Sequence, residues 1–351
     1  MEKIRAKITG VGTYVPEYIL TNEELSKMVD TSDEWIMTRV GIKERHLLRK
    51  PGETSSYKLP ENIVQDASFN PSDIGLATSD MGAEAVKKLL EKTGTKPEEI
   101  DLLICGTVTG DMIFPATACI IADKVNIRNA FTFDINGGCC GFIYPLATAA
   151  RYVESGRYKK VIVVGADMNS SMTDYQDRST CCLFGDAAGA VLLEPTTEEV
   201  GIMDEKMGSD GTGWTHLHLK AGGSLMRPTH ETIDRKLHYL YMEGQAVFKG
   251  AVKNMADVAE EVIHRNNLDP QNVWLLPHQA NLRIIDAVEH RIKFNHEKVL
   301  KNIEKYGNTT AATIPLVISD FEHKFKKGDD LLICSFGAGF CWGAVWLKWA
   351  Y

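Results

Sequence analysis

The sequence predicts an α/β protein made of two duplicated halves, stacked as α/β/α/β/α layers, and three observations carry that prediction. The first is an internal repeat. "KKLLEKTGTKPEEIDLLICGTVTG" near 87–110 resembles "EEVIHRNNLDPQNVWLLPHQAN" near 260–281, and "GRYKKVIVVGADM" (156–168) resembles "KFKKGDDLLICSFGAG" (324–339). Both pairs are offset by about 170 residues, close to half the chain, as duplication of one α/β unit requires. The second is alternation. Helical patterns are followed by short, fully apolar strands, which predicts a largely parallel sheet in each half with helices on its faces. The third is a pair of closing strands, "AGAVLL" (188–193) and "WGAVWL" (342–347). The halves divide as 1–195 and 196–351, and an irregular insertion occupies about 49–75 of the first.

Taken in order, residues 4–14 read as a strand. Thr21 is an N-cap followed by two early glutamates, which starts a helix. A second capped helix follows from Thr31 to Arg39. Trp35 and Arg39 are four residues apart on it and share a face. Lys43, Arg45 and His46 leave that helix with three basic side chains. Between Arg49 and Asp73 the pattern collapses into polar residues broken by Pro51, Gly52, Pro60 and Pro71, a surface excursion. Ser79 is an N-cap candidate for a helix over 81–92, and a buried strand follows Pro97. The apolar, β-branched run Val125 to Phe133 then leads into Gly137, Gly138, Cys139, Cys140 and Gly141. Three glycines in five residues permit a sharp strand-to-helix turn with Cys139 at the helix N-terminus. There the helix dipole favours thiolate over thiol, which makes a nucleophile.

Composition narrows the function classes. The chain is 351 residues long, with 44% hydrophobic and 25% charged residues, enough apolar material for two fused cores. A net charge of −8 argues against general nucleic-acid or anionic-membrane binding. No apolar run approaches the ~20 residues of a membrane span, and the opening residues lack the apolar core of a signal peptide. Eight cysteines, four of them in adjacent pairs and none in a CxxC, read as thiols of a reducing, cytoplasmic compartment rather than as disulfides or a zinc site.

Four stretches place polar groups in turns after buried strands: the Cys139 turn, 276–283 with His278, 305–310 with Asn308, and 335–340 with Ala338 between glycines. Around them lie "SDEWIMTRVGIKERH", "FPATAC", "YQDRST..LFGDAAGA", "PHQANLRII" and "YGNTTAATIP". With these motifs, in this order and spacing, nearly the whole chain resembles β-ketoacyl-acyl-carrier-protein synthase III, a condensing enzyme of thiolase fold that starts fatty-acid synthesis.

The resemblance implies a reaction and its residues. An acyl-CoA primer condenses with malonyl-acyl-carrier protein, giving 3-oxoacyl-acyl-carrier protein, CoA and CO₂, with no metal or redox cofactor. Cys139 would carry the acyl group as a thioester. His278 and Asn308 would hydrogen-bond the malonyl thioester carbonyl, a task for neutral donors because a carboxylate would repel the developing oxyanion. The backbone N–H groups of Cys139 and Ala338 would form the oxyanion hole. Trp35 and Arg178 would sandwich the adenine of CoA, with Thr31 and Arg39 near the nucleotide. Gly244, Gln245 and Phe248 would line the pantetheine arm. Lys249, Arg283, Arg291 and Lys293 would dock the acidic carrier protein, and Phe114 would cross a homodimer interface to close the acyl pocket.

Simpler readings exist for individual residues. Cys139 alone could be a buried structural thiol, Trp35 a helix anchor, and Arg291 and Lys293 a solvated face. His216, His218 and His238 lack metal-site spacing and read as surface, while Cys181 and Cys182 read as strand core that could line the acyl pocket. The chain departs from the family at Asn136, Gly137, Gly138 and Cys140, where alanines are usual, and in the insertion. The runner-up function is a specialised ketosynthase of aryl-polyene, quinolone or long-chain products; a non-catalytic acyl-CoA or carrier-protein binding module is the rival from another class.

Overall fold

In a computed structural model, residues 3–53 and 74–351 are described. The proposed insertion falls largely outside them. Its flanks are within reach of each other, since Arg49 Nη2 donates to Leu76 O at 2.6 Å.

The first half runs β1 (Arg5–Tyr14), β2 (Tyr18–Thr21), α1 (Asn22–Ser26), α2 (Asp33–Val40), β3 (Glu44–Leu47), α3 (Thr78–Thr93), β4 (Leu102–Gly106), α4 (Thr117–Lys124), β5 (Phe131–Ile135), α5 (Ile143–Glu154), β6 (Val161–Met168), α6 (Arg178–Cys181) and β7 (Asp186–Thr196). The second runs β8 (Gly201–Ser209), β9 (Leu217–Leu219), α7 (His230–Asp234), β10 (Leu240–Met242), α8 (Gly244–Asn266), β11 (Trp274–Pro277), α9 (Leu282–Ile292), α10 (Ile303–Tyr306), α11 (Thr313–Phe321), β12 (Asp330–Gly337) and β13 (Cys341–Lys348). Two large sheets result, ordered β1-β7-β6-β4-β5 and β8-β13-β12-β11, beside the two-stranded pairs β2–β3 and β9–β10. The orders correspond strand for strand, as the repeat predicts: β4 with β11, β6 with β12, β7 with β13. Where the second sheet lacks a counterpart of β5, a single parallel bridge joins Leu275 to Val299.

The inner strands β4, β6, β7 and β12 are buried on both faces, which is why they read as nearly unbroken apolar runs. Alternate residues divide between the faces. Leu103, Cys105, Ile162 and Val164 meet α3 and α4 on one outside, through Met81, Val86, Leu89 and Ile121. Leu332 and Cys334 meet α8 and α9 on the other, through Met255, Ala259 and Ile285. Leu102, Ile104, Leu331 and Ile333 face the middle layer, where α5 and α11 supply Leu146, Val153, Val317 and Ile318. These are the five layers.

Four expectations need correction. The sheets are mixed rather than largely parallel: β4 pairs parallel with β5 and β6, but β6–β7 and β1–β7 are antiparallel, as are β12–β13 and β13–β8. The closing strands follow without a full crossover helix, so they return the opposite way. Helix α3 is capped at Ala77 and not Ser79, because Asp111 takes the Ser79 N–H (2.8 Å) and hydroxyl (2.6 Å) while Asp80 covers the Ala77 N–H (2.8 Å). The second helix is capped by Ser32, one residue after Thr31. The run from Val125 is a strand only from Phe131; its first residues end α4 and turn, with Asn126 at φ +58°.

Candidate active site

The nucleophile turn leaves β5 at Ile135 and enters a single 3₁₀ turn, Gly138–Cys140, before α5 begins at Ile143. Gly138 adopts φ +52°, which a side chain would resist, and a Cβ there would fall 3.0 Å from Ala338 N. Gly337 lies closer still on the other side: a Cβ on it would meet Cys139 N at 2.6 Å. The Cys139 turn and the 337–339 turn therefore pack backbone on backbone. Ser335 Oγ donates to Cys139 O (2.7 Å), and Cys341 Sγ lies 3.1 Å from both Gly137 O and Ala338 O.

Cys139 opens on a cavity of about 870 Å³ that also receives His278, Asn308 and Ala338. The expected dipole-favoured thiolate is not what this pocket produces. Burial pushes the Cys139 thiol up, the Cys341 sulfur and Asp167 add to the shift, and a hydrogen bond from Asn308 opposes it. The helix end is also more remote than predicted, because the 3₁₀ turn intervenes. At rest Cys139 is a thiol.

His278 follows β11 directly, and its N–H extends the ladder to Cys334 O at 2.8 Å. The residue is fully buried, with Nδ1 2.7 Å from Thr313 Oγ1 and, among the described residues, no hydrogen-bond partner on Nε2. Burial lowers its pKa to about 3, so the ring is neutral. Gln279 braces the turn by donating to Pro277 O (2.7 Å) and accepting from Asn302 N–H (3.1 Å). Asn308 is held through its backbone, its N–H on Leu183 O (2.8 Å) and its C=O receiving Gly185 N–H (3.1 Å). Thr310 N–H donates to Asn308 Oδ1 at 2.9 Å, which fixes the amide orientation and leaves Nδ2 as the donor toward Cys139 and the cavity.

Behind these residues sits Asp167, fully buried and unnoticed in the sequence. Its Oδ1 accepts from Val108 N (2.8 Å), Thr107 Oγ1 (3.0 Å), Thr109 N (3.2 Å) and Thr109 Oγ1 (2.9 Å), and its Oδ2 from Ala311 N (3.1 Å). Burial raises its pKa to about 6 against those donors, so it is ionised at neutral pH. It ties the cavity wall at Val108 to the turn after Asn308. Asp167→Asn should direct an amide N–H₂ at the Ala311 N–H and cost about 2 kcal/mol of unfolding free energy, read by urea denaturation. An unchanged midpoint would remove this bracing role.

Two family models match the chain, 3-oxoacyl-[acyl-carrier-protein (ACP)] synthase III over residues 133–211 and its C-terminal counterpart over 263–349. A Bacteroides thetaiotaomicron protein named β-ketoacyl-[acyl-carrier-protein] synthase III 2 is 53% identical over 352 residues, spanning 100% of this chain and 98% of that protein. The chain belongs to the synthase III family. A Porphyromonas gingivalis synthase III is 49% identical over 352 residues, at 100% and 98% coverage. The crystal structure of the Aquifex aeolicus synthase III superposes with a TM-score of 0.84 at 38% identity, covering 98% of this chain and 100% of that one.

Not every predicted synthase III residue reaches the cavity. Trp35, Arg39, Gly244, Gln245, Phe248 and Arg283 line it. The Trp35 ring is flanked by the Arg39 guanidinium at 4.7 Å and that of Arg178 at 5.0 Å, and Arg178 also donates to Asp30 O at 2.9 Å. Thr31 does not line the cavity, and its Oγ1 is buried with no hydrogen-bond partner among the described residues. Arg283 stacks over Phe248 at 5.5 Å. Phe114 is 81% exposed and away from its own chain's cavity. Lys249 and Lys293 are exposed, whereas Arg291 is bonded to Asp257 and Glu260. Two further readings change. His218 lines the cavity, and His216 is half-buried, with Nδ1 2.6 Å from Glu243 Oε2 and its ring stacked on Phe340. Cys181 and Cys182 belong to a helical turn, α6 and its C-cap, rather than to a strand; Cys182 lines the cavity. Of the three basic side chains after α2, Arg45 is structural: fully buried, it donates to Leu20 O, Asn22 Oδ1 and Cys182 O.

Proposed function

We propose that this chain performs decarboxylative Claisen condensation of an acyl-CoA primer with malonyl-acyl-carrier protein, the reaction that initiates fatty-acid synthesis. The observation that carries the reading is the convergence of Cys139, from the first half, with His278 and Asn308, from the second, on one cavity. Full-length relatives named as synthase III support it. Cys139 takes the acyl group as a thioester, with the N–H groups of Cys139 and Ala338 receiving the tetrahedral oxyanion. Asn308 Nδ2 and His278 Nε2 address the malonyl carbonyl as CO₂ leaves, and the enolate carbon attacks the acyl-cysteine. Carbon dioxide release drives the cycle, which balances without metal or redox partner.

CoA enters past Trp35. The adenine stacks on that ring, taking the place now held by Arg178, and pantetheine passes Gly244, Gln245 and Phe248. Two features support a homodimer in which Phe114 closes the partner's acyl pocket: Ile113 and Phe114 are 86% and 81% exposed, and β5 is an edge strand with a free side. A bulky ring in that place favours short or branched primers. We place the protein in the cytoplasm, in keeping with eight free thiols; among the described residues no helix is long and apolar enough to cross a membrane.

For the carrier protein, Arg283 lines the cavity and Lys249 is exposed next to the lining residue Phe248, while Arg291 is neutralised by its own neighbours. Lys249→Glu should raise KM for malonyl-carrier protein about fivefold with little change in acyl-CoA kinetics, and Arg291→Ala should change it less than about twofold. Equal effects from both would put the dock elsewhere. The function itself is tested by assaying a panel of acyl-CoA primers with malonyl-carrier protein and identifying products by mass. A 3-oxoacyl product of primer length plus two carbons is expected. Acyl-CoA binding without product from any primer would reduce the chain to a binding module.

A further inference from the structure

Asn308 is oriented by a residue whose own backbone is unfavourable. Thr310, whose N–H holds Asn308 Oδ1 at 2.9 Å, sits at φ +52°. A β-branched side chain resists this left-handed region, and such a conformation persists only where the surroundings over-determine it. The bend lets neighbouring N–H groups serve different partners: that of Thr310 faces Asn308, and that of Ala311 faces Asp167 Oδ2 at 3.1 Å.

What holds the bend comes from the other half of the chain. The end of β6 delivers Asp167 and Asn169, two positions apart, to these consecutive residues. Asn169 Oδ1 accepts from Thr310 Oγ1 at 2.7 Å, across 141 positions of sequence. Asn169 is completely buried and Thr310 nearly so. The Asn169 amide cannot be turned round. Its Nδ2 donates to Gly185 O at 2.7 Å, with Asn308 O 3.4 Å away, and carbonyls only accept. The end facing Thr310 is therefore Oδ1, which cannot donate, so the Thr310 hydroxyl gives its proton to Asn169. Gly185 in turn donates its N–H to Asn308 O at 3.1 Å. One buried amide thus grips Asn308 from two sides, through Thr310 on its side chain and Gly185 on its backbone.

We infer that Asn169 is a positioning residue for Asn308, holding Thr310 in its left-handed conformation so that Asn308 Nδ2 stays on the cavity side. This rests on Asn308 being the donor to the malonyl carbonyl. Asn169 does not itself line the cavity; it acts through Thr310 and Gly185. Without the hydroxyl bond, a β-branched residue at 310 has reason to leave the bend. A glycine there accepts the bend but is not held to it. In both cases the amide of Asn308 loses its fixed orientation, and the donor is no longer aimed before charge develops.

The test measures decarboxylation of malonyl-carrier protein and acylation of Cys139 on full-length variants. Asn169→Ala and Thr310→Val should each lower kcat for decarboxylation at least about tenfold, a part of the 10²–10³ that loss of a whole donor typically costs. KM for malonyl-carrier protein and the acylation rate should change less than about threefold. Thr310→Ser keeps the hydroxyl and should stay within about threefold of the native rate. Thr310→Gly relieves the backbone while removing the hydroxyl, so it should stay folded and still lose decarboxylation. Because Asn169→Ala and Thr310→Gly break the same bond, the double variant should be no slower than the slower single one. Losses that multiply in the double variant, or a Thr310→Gly enzyme at the native rate, overturn the inference. Crystal structures of the resting native and Asn169→Ala proteins read it without substrate. A variant that keeps Thr310 at positive φ with its N–H on Asn308 Oδ1 overturns it as well. If the bend is lost in the variant but the native enzyme releases no CO₂, the hold of Asn169 on the turn stands and the role of Asn308 falls.

Discussion

Cys139→Ala should abolish covalent labelling by radiolabelled acyl-CoA and with it all condensation, while leaving the protein folded and still able to release CO₂ from malonyl-carrier protein. The folded state should survive because Cys139 is held by its backbone. Its carbonyl takes the Ser335 hydroxyl and its N–H lies against Gly337, and alanine keeps both. What is lost is the sulfur of that turn; the other thiol lining the cavity, Cys182, is turned to Arg178 O and pushed up by burial. Cys140 is completely buried and pushed well up by desolvation and the neighbouring Cys341 sulfur. Cys341 is turned to the carbonyls of Gly137 and Ala338. Decarboxylation should persist because the malonyl carbonyl relies on groups from the second half. Denaturing electrophoresis after incubation with labelled acyl-CoA reads the adduct, and trapped labelled CO₂ reads the other half-reaction. Label retained by the variant would move the nucleophile to another cysteine.

Asn308→Ala separates the half-reactions the other way. Thr310 N–H pins the amide oxygen, so Nδ2 is a donor aimed without reorganisation at the place where charge develops. Loss of one such donor typically costs about 10²–10³ in rate. Decarboxylation of malonyl-carrier protein should fall by about that factor, with acylation of Cys139 much less affected. The backbone contacts of Asn308 with Leu183 and Gly185 do not involve the side chain, so the turn should keep its shape. Acylation lost with decarboxylation intact would reverse the assignment.

Much of this was legible from the residues. The repeat gives the paired strand orders because a duplicated unit carries its apolar alternation with it, and the four stretches do converge, although the one with Asn308 follows α10 rather than a strand. The errors share a cause: competition from side chains distant in sequence. Ser79 has the chemistry of a cap, yet Asp111, 32 residues on, claims it. Arg291 looks like docking charge until α8 brings Asp257 and Glu260 to it. His218 has no neighbours in sequence that mark it for a cavity; the antiparallel β9–β10 pair carries it there. Cys139 sits where a dipole argument predicts thiolate, but the dipole is a local effect and desolvation is set by the whole fold. Asp167 and Thr313 gave no signal, because a buried aspartate and a threonine at a helix start are ordinary until their partners are known.

The backbone-on-backbone seam between the Cys139 turn and the 337–339 turn has a consequence for biosynthesis. The bonds that close it join residues 196 and 204 positions apart, from Ser335 to Cys139 and from Cys341 to Gly137. Contacts of such separation form late, after shorter loops have closed, and during synthesis they must await translation of almost the entire chain. An emerging first half carries its thiol on a turn that lacks the partners shaping an oxyanion hole. Acyl-transfer competence is thereby deferred to the last stage of folding, and a truncated product that stops before Ser335 cannot assemble the site.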